Sequence, residues 1–194
     1  MNDIITLSSV LGSLLYYPLS HPKNQEILHQ LAQWSEQPSH PFIDLLVALK
    51  KDTPEAILDD YQQLFEGRET MLAPPWGSVY LDKEQVIFGE TTLTLRTFLR
   101  QHGLEIDTGL REPEDHFGLM LMLLSQLLGN DTSQKSVQLL LSHHLLPWSY
   151  RYLTLLKQSA NTQAYQCLAD IAEQWLEYLQ QAFSVQAVVM KLYR

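Results

Sequence analysis

Leucine and isoleucine recur three and four residues apart along most of the chain, and a proline, glycine or capping residue breaks each run. The first run predicts a helix from about Asp3 to Tyr17, with Ile4, Leu7, Leu11, Leu14 and Leu15 on one face and Pro18 as the stop. A second helix is expected from about Pro22 to Trp34. A third opens at Pro41 and carries Phe42, Leu45, Leu46 and Leu49. The fourth has the clearest start: Thr53 can accept the first free N–H groups, Pro54 suits the first helical position, and Glu55 complements the positive end. It runs to Gly67, a residue able to take the left-handed conformation that ends a helix.

From Gly67 to about Glu90 the period disappears. A connection this long inside a helical domain is either functional or disordered. Met71, Leu72, Trp76, Val79, Tyr80, Val86, Ile87 and Phe88 argue for an ordered loop docked on the body, because their apolar surface favours burial at about 25 cal/mol per Å2. Helical rhythm resumes at "TTLTLRTFLRQH", with Thr91 or Thr92 as cap and Gly103 as terminator, and "GLEIDTGLRE" reads as another loop. A sixth helix, expected from Pro113, is apolar nearly all round from Phe117 to Leu128, the pattern of a helix buried on most sides. Helices from about Ser133 to Leu146, Trp148 to Gln158 and Thr162 to Phe183 follow, Pro147 separating the first two, and the last residues read as a short extended segment. The expected fold is all-α: one helical bundle of about eight to ten helices over residues 1–194, with a long ordered loop.

Composition narrows the function. The chain is 45% hydrophobic and 18% charged, enough to bury a core and too apolar for disorder. A net charge of −9 repels phosphate backbones and favours cationic partners, so no nucleic-acid role is expected. Cys167 is the sole cysteine, which excludes an internal disulfide, suits a reducing compartment and reads as an inert buried thiol. The apolar N-terminal stretch lacks a basic leading region and a cleavage site and is too short to span a bilayer, so a cytoplasmic location without membrane insertion is expected.

No phosphate loop, paired-cysteine pattern or nucleophile elbow is present, and no cofactor is expected. Ser78 follows Gly77 without the second glycine of an elbow. His143 and His144 are neighbours whose side chains diverge on a helix, so they are expected to hold no metal, one exposed and one packed. "REPEDHFG" is the richest polar cluster, and three readings of it stay open. Asp115 and His116 can act as an acid–base pair, as in a small helical hydrolase. They can be a helix cap beside a core histidine. Or Glu112 and Asp115, with the aromatics Trp76 and Tyr80, can receive a peptide that is basic at one end and apolar at the other, since arginine pairs with carboxylates and stacks on aromatic rings.

"YQQLFEG" (61–67), "PPWGSVYLD" (74–82), "FGE" (88–90), "EPEDHFG" (112–118), "HLLPWS" (144–149) and the final "KLYR" resemble, in order along the chain, the TorD/DmsD family of redox-enzyme maturation chaperones. The PPWGS and EPEDH blocks point to its DmsD branch. The resemblance implies an all-helical, non-enzymatic chaperone. It would bind the twin-arginine leader of a molybdoenzyme precursor, the dimethyl sulfoxide reductase catalytic subunit, and delay its export until the cofactor is inserted. Components of the twin-arginine translocase are implied as further partners, and a monomer or a domain-swapped dimer as the assembly. The family's leader-binding positions fall here on Tyr16, Tyr61, Leu64, Phe65, Pro75, Trp76, Tyr80, Glu112, Pro113, Asp115 and His116. Tyr61 and Tyr80 stand where relatives carry tryptophan, Arg68 and Glu69 where an aromatic can follow the loop-opening glycine, and Ser9 where a relative carries arginine. The resemblance also raises a nucleotide-responsive chaperone, which no phosphate loop here supports.

Overall fold

Helix α7 (Phe117–Gly129) is the axis of the molecule: Phe117, Met120, Leu121, Leu123, Leu124 and Leu127 are all fully buried, as the all-round apolar run predicts. The structure is a computed structural model and describes residues 1–34, 41–68, 70–104, 112–130 and 133–194. Most of the loop expected at 103–112 lies outside the described residues, as does Glu69.

Helix α1 (Asn2–Tyr16) lies along α7, and this is the most extensive helix–helix contact among the described residues. Two glycines bring the helices together. A Cβ on Gly12 would sit 2.7 Å from the Gly118 carbonyl oxygen, and one on Gly118 would sit 2.7 Å from that of Gly12. Any side chain at either position would push the backbones apart.

Around this pair the chain adds α2 (Pro22–Trp34), α3 (Ile43–Lys51), α4 (Pro54–Phe65), α5 (Gly77–Leu81) and α6 (Glu90–Gln101). After α7 come α8 (Gln134–Leu139), a π-helical turn (Leu140–Leu145), α9 (Leu146–Ser159) and α10 (Gln163–Ala182). The described residues are thus helical without strands, and one cluster of buried apolar side chains runs from Ile4 to Val185. No described helix is long and apolar enough to cross a membrane.

Thr53 caps α4 as expected, its hydroxyl accepting the Ala56 N–H at 3.2 Å, and Gly67 takes the left-handed conformation with φ 68°. Elsewhere the sequence signals mislead. The third helix starts at Ile43 rather than Pro41, and α6 starts at Glu90, before either candidate cap. Pro147 does not interrupt the chain: α8, the π turn and α9 run on without a break. The wider turn takes up the local bonding, the Leu146 N–H reaching the Leu141 carbonyl five residues back.

The described residues of the 67–90 segment are only partly docked on the body. Ala73, Val79 and Tyr80 are buried and Gly77–Leu81 forms a helix, whereas Leu72 is 56% exposed and Val86, Ile87 and Phe88 are 51%, 46% and 37% exposed. Cys167 is half-buried rather than sealed, and burial with nearby carboxylates pushes its thiol up. The last residues are extended and act as a strap. The Val188 N–H donates to the Ser142 carbonyl and the Tyr193 N–H to the Tyr80 carbonyl, both at 2.9 Å, while the Arg194 guanidinium reaches the carbonyls of Met71 and Leu72.

Candidate functional site

The sequence reading starts the sixth helix at Pro113. The structure starts it at Phe117, because residues 115–117 pair with the other candidate segment instead. The Phe117 N–H donates to the Pro75 carbonyl at 2.7 Å and the Gly77 N–H to the Asp115 carbonyl at 3.1 Å, an antiparallel bridge between Trp76 and His116. The two blocks singled out in the sequence, PPWGS and EPEDH, are therefore one structural unit.

Asp115 caps a helix across this bridge. It is 4% exposed, and one carboxylate oxygen accepts the Ser78 N–H of α5 at 2.7 Å and the Thr92 hydroxyl of α6 at 3.0 Å. Its other oxygen is buried with no protein partner. Burial lifts its carboxyl above the usual range, against the pull of the Ser78 and Thr92 hydrogen bonds. His116 is the N-cap of α7. Its Nδ1 accepts the Gly118 N–H at 3.1 Å, which leaves the ring proton on Nε2. Full burial drives its pKa down to about 3, so the ring is neutral at physiological pH.

An aromatic and acidic patch grows outward from His116. The Tyr16 ring meets the imidazole edge-on with centroids 5.0 Å apart, and the half-buried Trp76 does so at 5.9 Å. The Trp76 indole donates to the half-buried Glu112 at 2.5 Å. Burial pushes the Glu112 carboxyl up, the Trp76 hydrogen bond works against this, and the nearby Asp115 charge adds to it. The Tyr61 hydroxyl donates to the Tyr16 carbonyl at 2.8 Å, and Phe65 stacks on Tyr61 at 5.1 Å. Pro75 and Pro113 are buried and Leu64 is 3% exposed.

Of the eleven expected leader-binding residues, Tyr16, Tyr61, Phe65, Trp76, Glu112 and His116 thus form one contiguous patch, with Leu64, Pro75, Pro113 and Asp115 beneath or beside it. Tyr80 does not join them. The sequence reading pairs it with Trp76 as an exposed aromatic four residues on. In α5 it turns inward, is fully buried, and stacks on Trp148 at 5.5 Å beside Tyr152. Nor does Asp115 offer an open carboxylate, since its accessible duty is the cap. Its capping role, and the neutral buried His116, fit the cap-and-core reading of the cluster, and no Asp115–His116 hydrogen bond appears among the described residues to favour an acid–base pair.

Sequence reasoning missed Thr92, which bonds Asp115 rather than capping its own helix, and Arg96, which holds Glu114 by two hydrogen bonds of 2.7 Å. Burial pushes the Glu114 carboxyl up, but the Arg96 hydrogen bond and charge outweigh it and hold it below the usual range. No local signal in the sequence marks either partner. His143 is exposed and His144 half-buried, as expected, and no group of metal-ligating residues is found among the described residues.

The sequence matches those of known proteins. The sequence profile of the nitrate reductase delta subunit family matches residues 22–154. The Tat proofreading chaperone DmsD of Salmonella typhimurium is 36% identical across all of this chain and 97% of its own length. The probable Tat proofreading chaperone DmsD of Haemophilus influenzae is 34% identical over 100% of this chain and 98% of its own. The chaperone protein TorD of Shewanella pealeana is 27% identical over 89% of this chain and 86% of its own. With full-length identity above a third, a profile match over most of the chain and an all-helical fold, this chain belongs to the nitrate reductase delta subunit family and, within it, to the TorD/DmsD chaperones.

Proposed function

We propose that this chain is a cytoplasmic chaperone that captures the twin-arginine leader of a molybdoenzyme precursor and holds the precursor back from the translocase until it has matured. The observation that carries the reading is the Trp76–Glu112 pair: a half-buried indole donating to a half-buried carboxylate, on a chain of net charge −9. An arginine guanidinium can pair with the remaining lone pairs of Glu112 while lying on the indole face. Desolvation makes such a charge pair specific for a planar, multi-donor cation, so lysine should be a poor substitute. Relatives whose names describe twin-arginine proofreading support the same class of client. The dimethyl sulfoxide reductase catalytic subunit is the client we infer, with leader capture by a monomer or by a domain-swapped dimer.

Calorimetry against twin-arginine leaders from the same genome tests this. Saturable binding to one leader, weakened at least about tenfold by arginine-to-lysine exchange or by Glu112→Gln, is expected. Binding to no leader sinks the proposal. Binding that ignores both Glu112→Gln and Trp76→Ala, in variants that remain folded, removes the site assignment alone.

A further inference from the structure

A cleft of about 390 Å3 opens between α5, α6, the π turn and the strap. Its volume falls within the range of roughly 300–1,000 Å3 typical of sites that enclose a ligand. Leu95, Phe98, Leu139 and Met190 give it an apolar wall. The carboxylates Asp82, Glu90 and Asp115 line it as well, and no lysine or arginine does among the described residues. His144, also in the wall, is held neutral by burial, with its pKa near 4.

Three observations point to an occupant that is apolar and carries positive charge. The acidic lining holds no lysine or arginine among the described residues to balance it. Asp115 is 4% exposed, yet one of its oxygens has no protein partner, which is costly unless something else supplies a donor. In the chain just ahead of Glu90, which lines the cleft, Val86, Ile87 and Phe88 hold apolar side chains in solvent. Contiguous exposure of that kind marks interaction surfaces.

Two lining residues tie the cleft to the segments that carry the aromatic patch. Gly77 and Asp115 line the cleft, and they are the residues whose backbone hydrogen bond joins the two blocks carrying Trp76 and Glu112. Phe65 and Tyr80, the apolar side chains of the expected site, present little surface: Tyr80 is sealed in the core, and Phe65 is 8% exposed and packed between Tyr61 and Tyr165. A second cleft of about 420 Å3 beside Tyr61, between α2 and α4, carries no carboxylate.

We propose that the apolar stretch of the client leader, next to its arginines, docks in the α5–α6 cleft against Leu95, Leu139 and Met190, while the arginines engage Glu112 at the patch. This rests on the leader-binding reading above and assigns the apolar part of the leader to a different wall of the molecule from Phe65 and Tyr80. The strap supplies Met190 and is mostly exposed, so this wall can adjust to its occupant more readily than the helices can.

Two experiments on the full chain test it. A synthetic leader with p-benzoylphenylalanine in its apolar stretch is photolysed on the wild-type protein and the adducts are mapped by mass spectrometry. Adducts at Leu95, Leu139 or Met190 are expected; adducts confined to α2 and α4, or anywhere else, overturn the assignment. Thr94→Trp then places an indole in the mouth of the cleft at an exposed helical position, where folding is not at stake. Affinity for the full leader should fall about tenfold, comparable to losing the burial of one apolar side chain. Affinity for a leader whose apolar stretch is replaced by serine and glycine should not change. Unchanged affinity for both peptides, or an equal loss for both, overturns the cleft assignment while the leader-binding reading stands. Failure of the wild type to bind any leader defeats that reading instead.

Discussion

Asp115 accepts the backbone N–H of Ser78 at 2.7 Å, so a carboxylate from one candidate block is the cap of the short helix that begins in the other. With the Thr92 hydroxyl on the same oxygen, this residue ties α5, α6 and the start of α7 together. Asp115→Ala leaves two buried donors without a partner, and a cost of about 1–3 kcal/mol is expected for each group stranded in that way. Asp115→Asn keeps a carbonyl oxygen for the same two donors. It also removes a charge whose burial already raises the carboxyl pKa, so it should be the milder change. Urea unfolding of both variants at pH 7 checks the order. Equal losses would mean that the charge, rather than the cap geometry, matters at this position.

Tyr80 separates packing from recognition. Its ring is fully buried against Trp148, and its hydroxyl oxygen has no hydrogen-bond partner. Tyr80→Phe removes only an unsatisfied polar group, so stability should hold or rise slightly and leader affinity should stay within about twofold. Tyr80→Ala opens a cavity under Trp148 and should cost about 3–5 kcal/mol. Thermal unfolding and calorimetry on the Phe variant decide the point, since a clear loss of leader affinity there would return Tyr80 to the binding surface.

Gly118→Ala reverses the usual helix rule. Alanine in place of a helical glycine normally gains about 0.5–1 kcal/mol. Here the new Cβ would meet the Gly12 carbonyl oxygen at 2.7 Å and the Tyr16 Cβ at 2.9 Å. Overpacking of this kind costs about 1–3 kcal/mol, so a lower Tm is expected. The displaced Tyr16 and His116 rings should also weaken leader binding, which calorimetry would show.

What could be read from the sequence followed from local signals. Thr53 and Pro54 mark the start of α4, Gly67 its end, and the all-apolar run from Phe117 the central helix, because capping, backbone freedom and periodicity act within a few residues. The PPWGS and EPEDH blocks stood out, yet their union did not, since it depends on backbone pairing 40 residues apart between Trp76 and His116. The caps that failed to appear share that cause. Asp115 caps α5 across 37 residues, and Asp60 of α4 accepts the Asn161 and Thr162 N–H groups at the start of α10 across about a hundred. Tyr80 was misplaced because an irregular stretch gives no period from which to tell an inward ring from an outward one. Its turn into helix α5 is set by Asp115 and the Gly77–Trp148 contact, neither of them local.

His116 makes the last prediction, on acid stability. Its Nδ1 must be unprotonated to accept the Gly118 N–H, and burial holds the ring's pKa near 3 against an ordinary value of 6.5. The folded pKa lies below the unfolded one. The stabilisation is therefore complete above pH 6.5 and drains away as pH falls from 6.5 towards 3, at up to about 1.4 kcal/mol per pH unit. His144, held near 4 mainly by burial and also by the His143 charge, steepens the same window. Glu112 and Asp115 act in the opposite sense: their raised carboxyls favour folding as pH falls through their folded values and so blunt the loss at its acid end. Asn at position 116 can still cap α7 through its side-chain oxygen but cannot titrate. His116→Asn should therefore lower stability at pH 8, where the packed ring is lost, and flatten the decline of the urea midpoint between about pH 6.5 and 4.5. An unchanged slope would show that His116 is not the group whose protonation loosens the junction between α7 and the Trp76 segment.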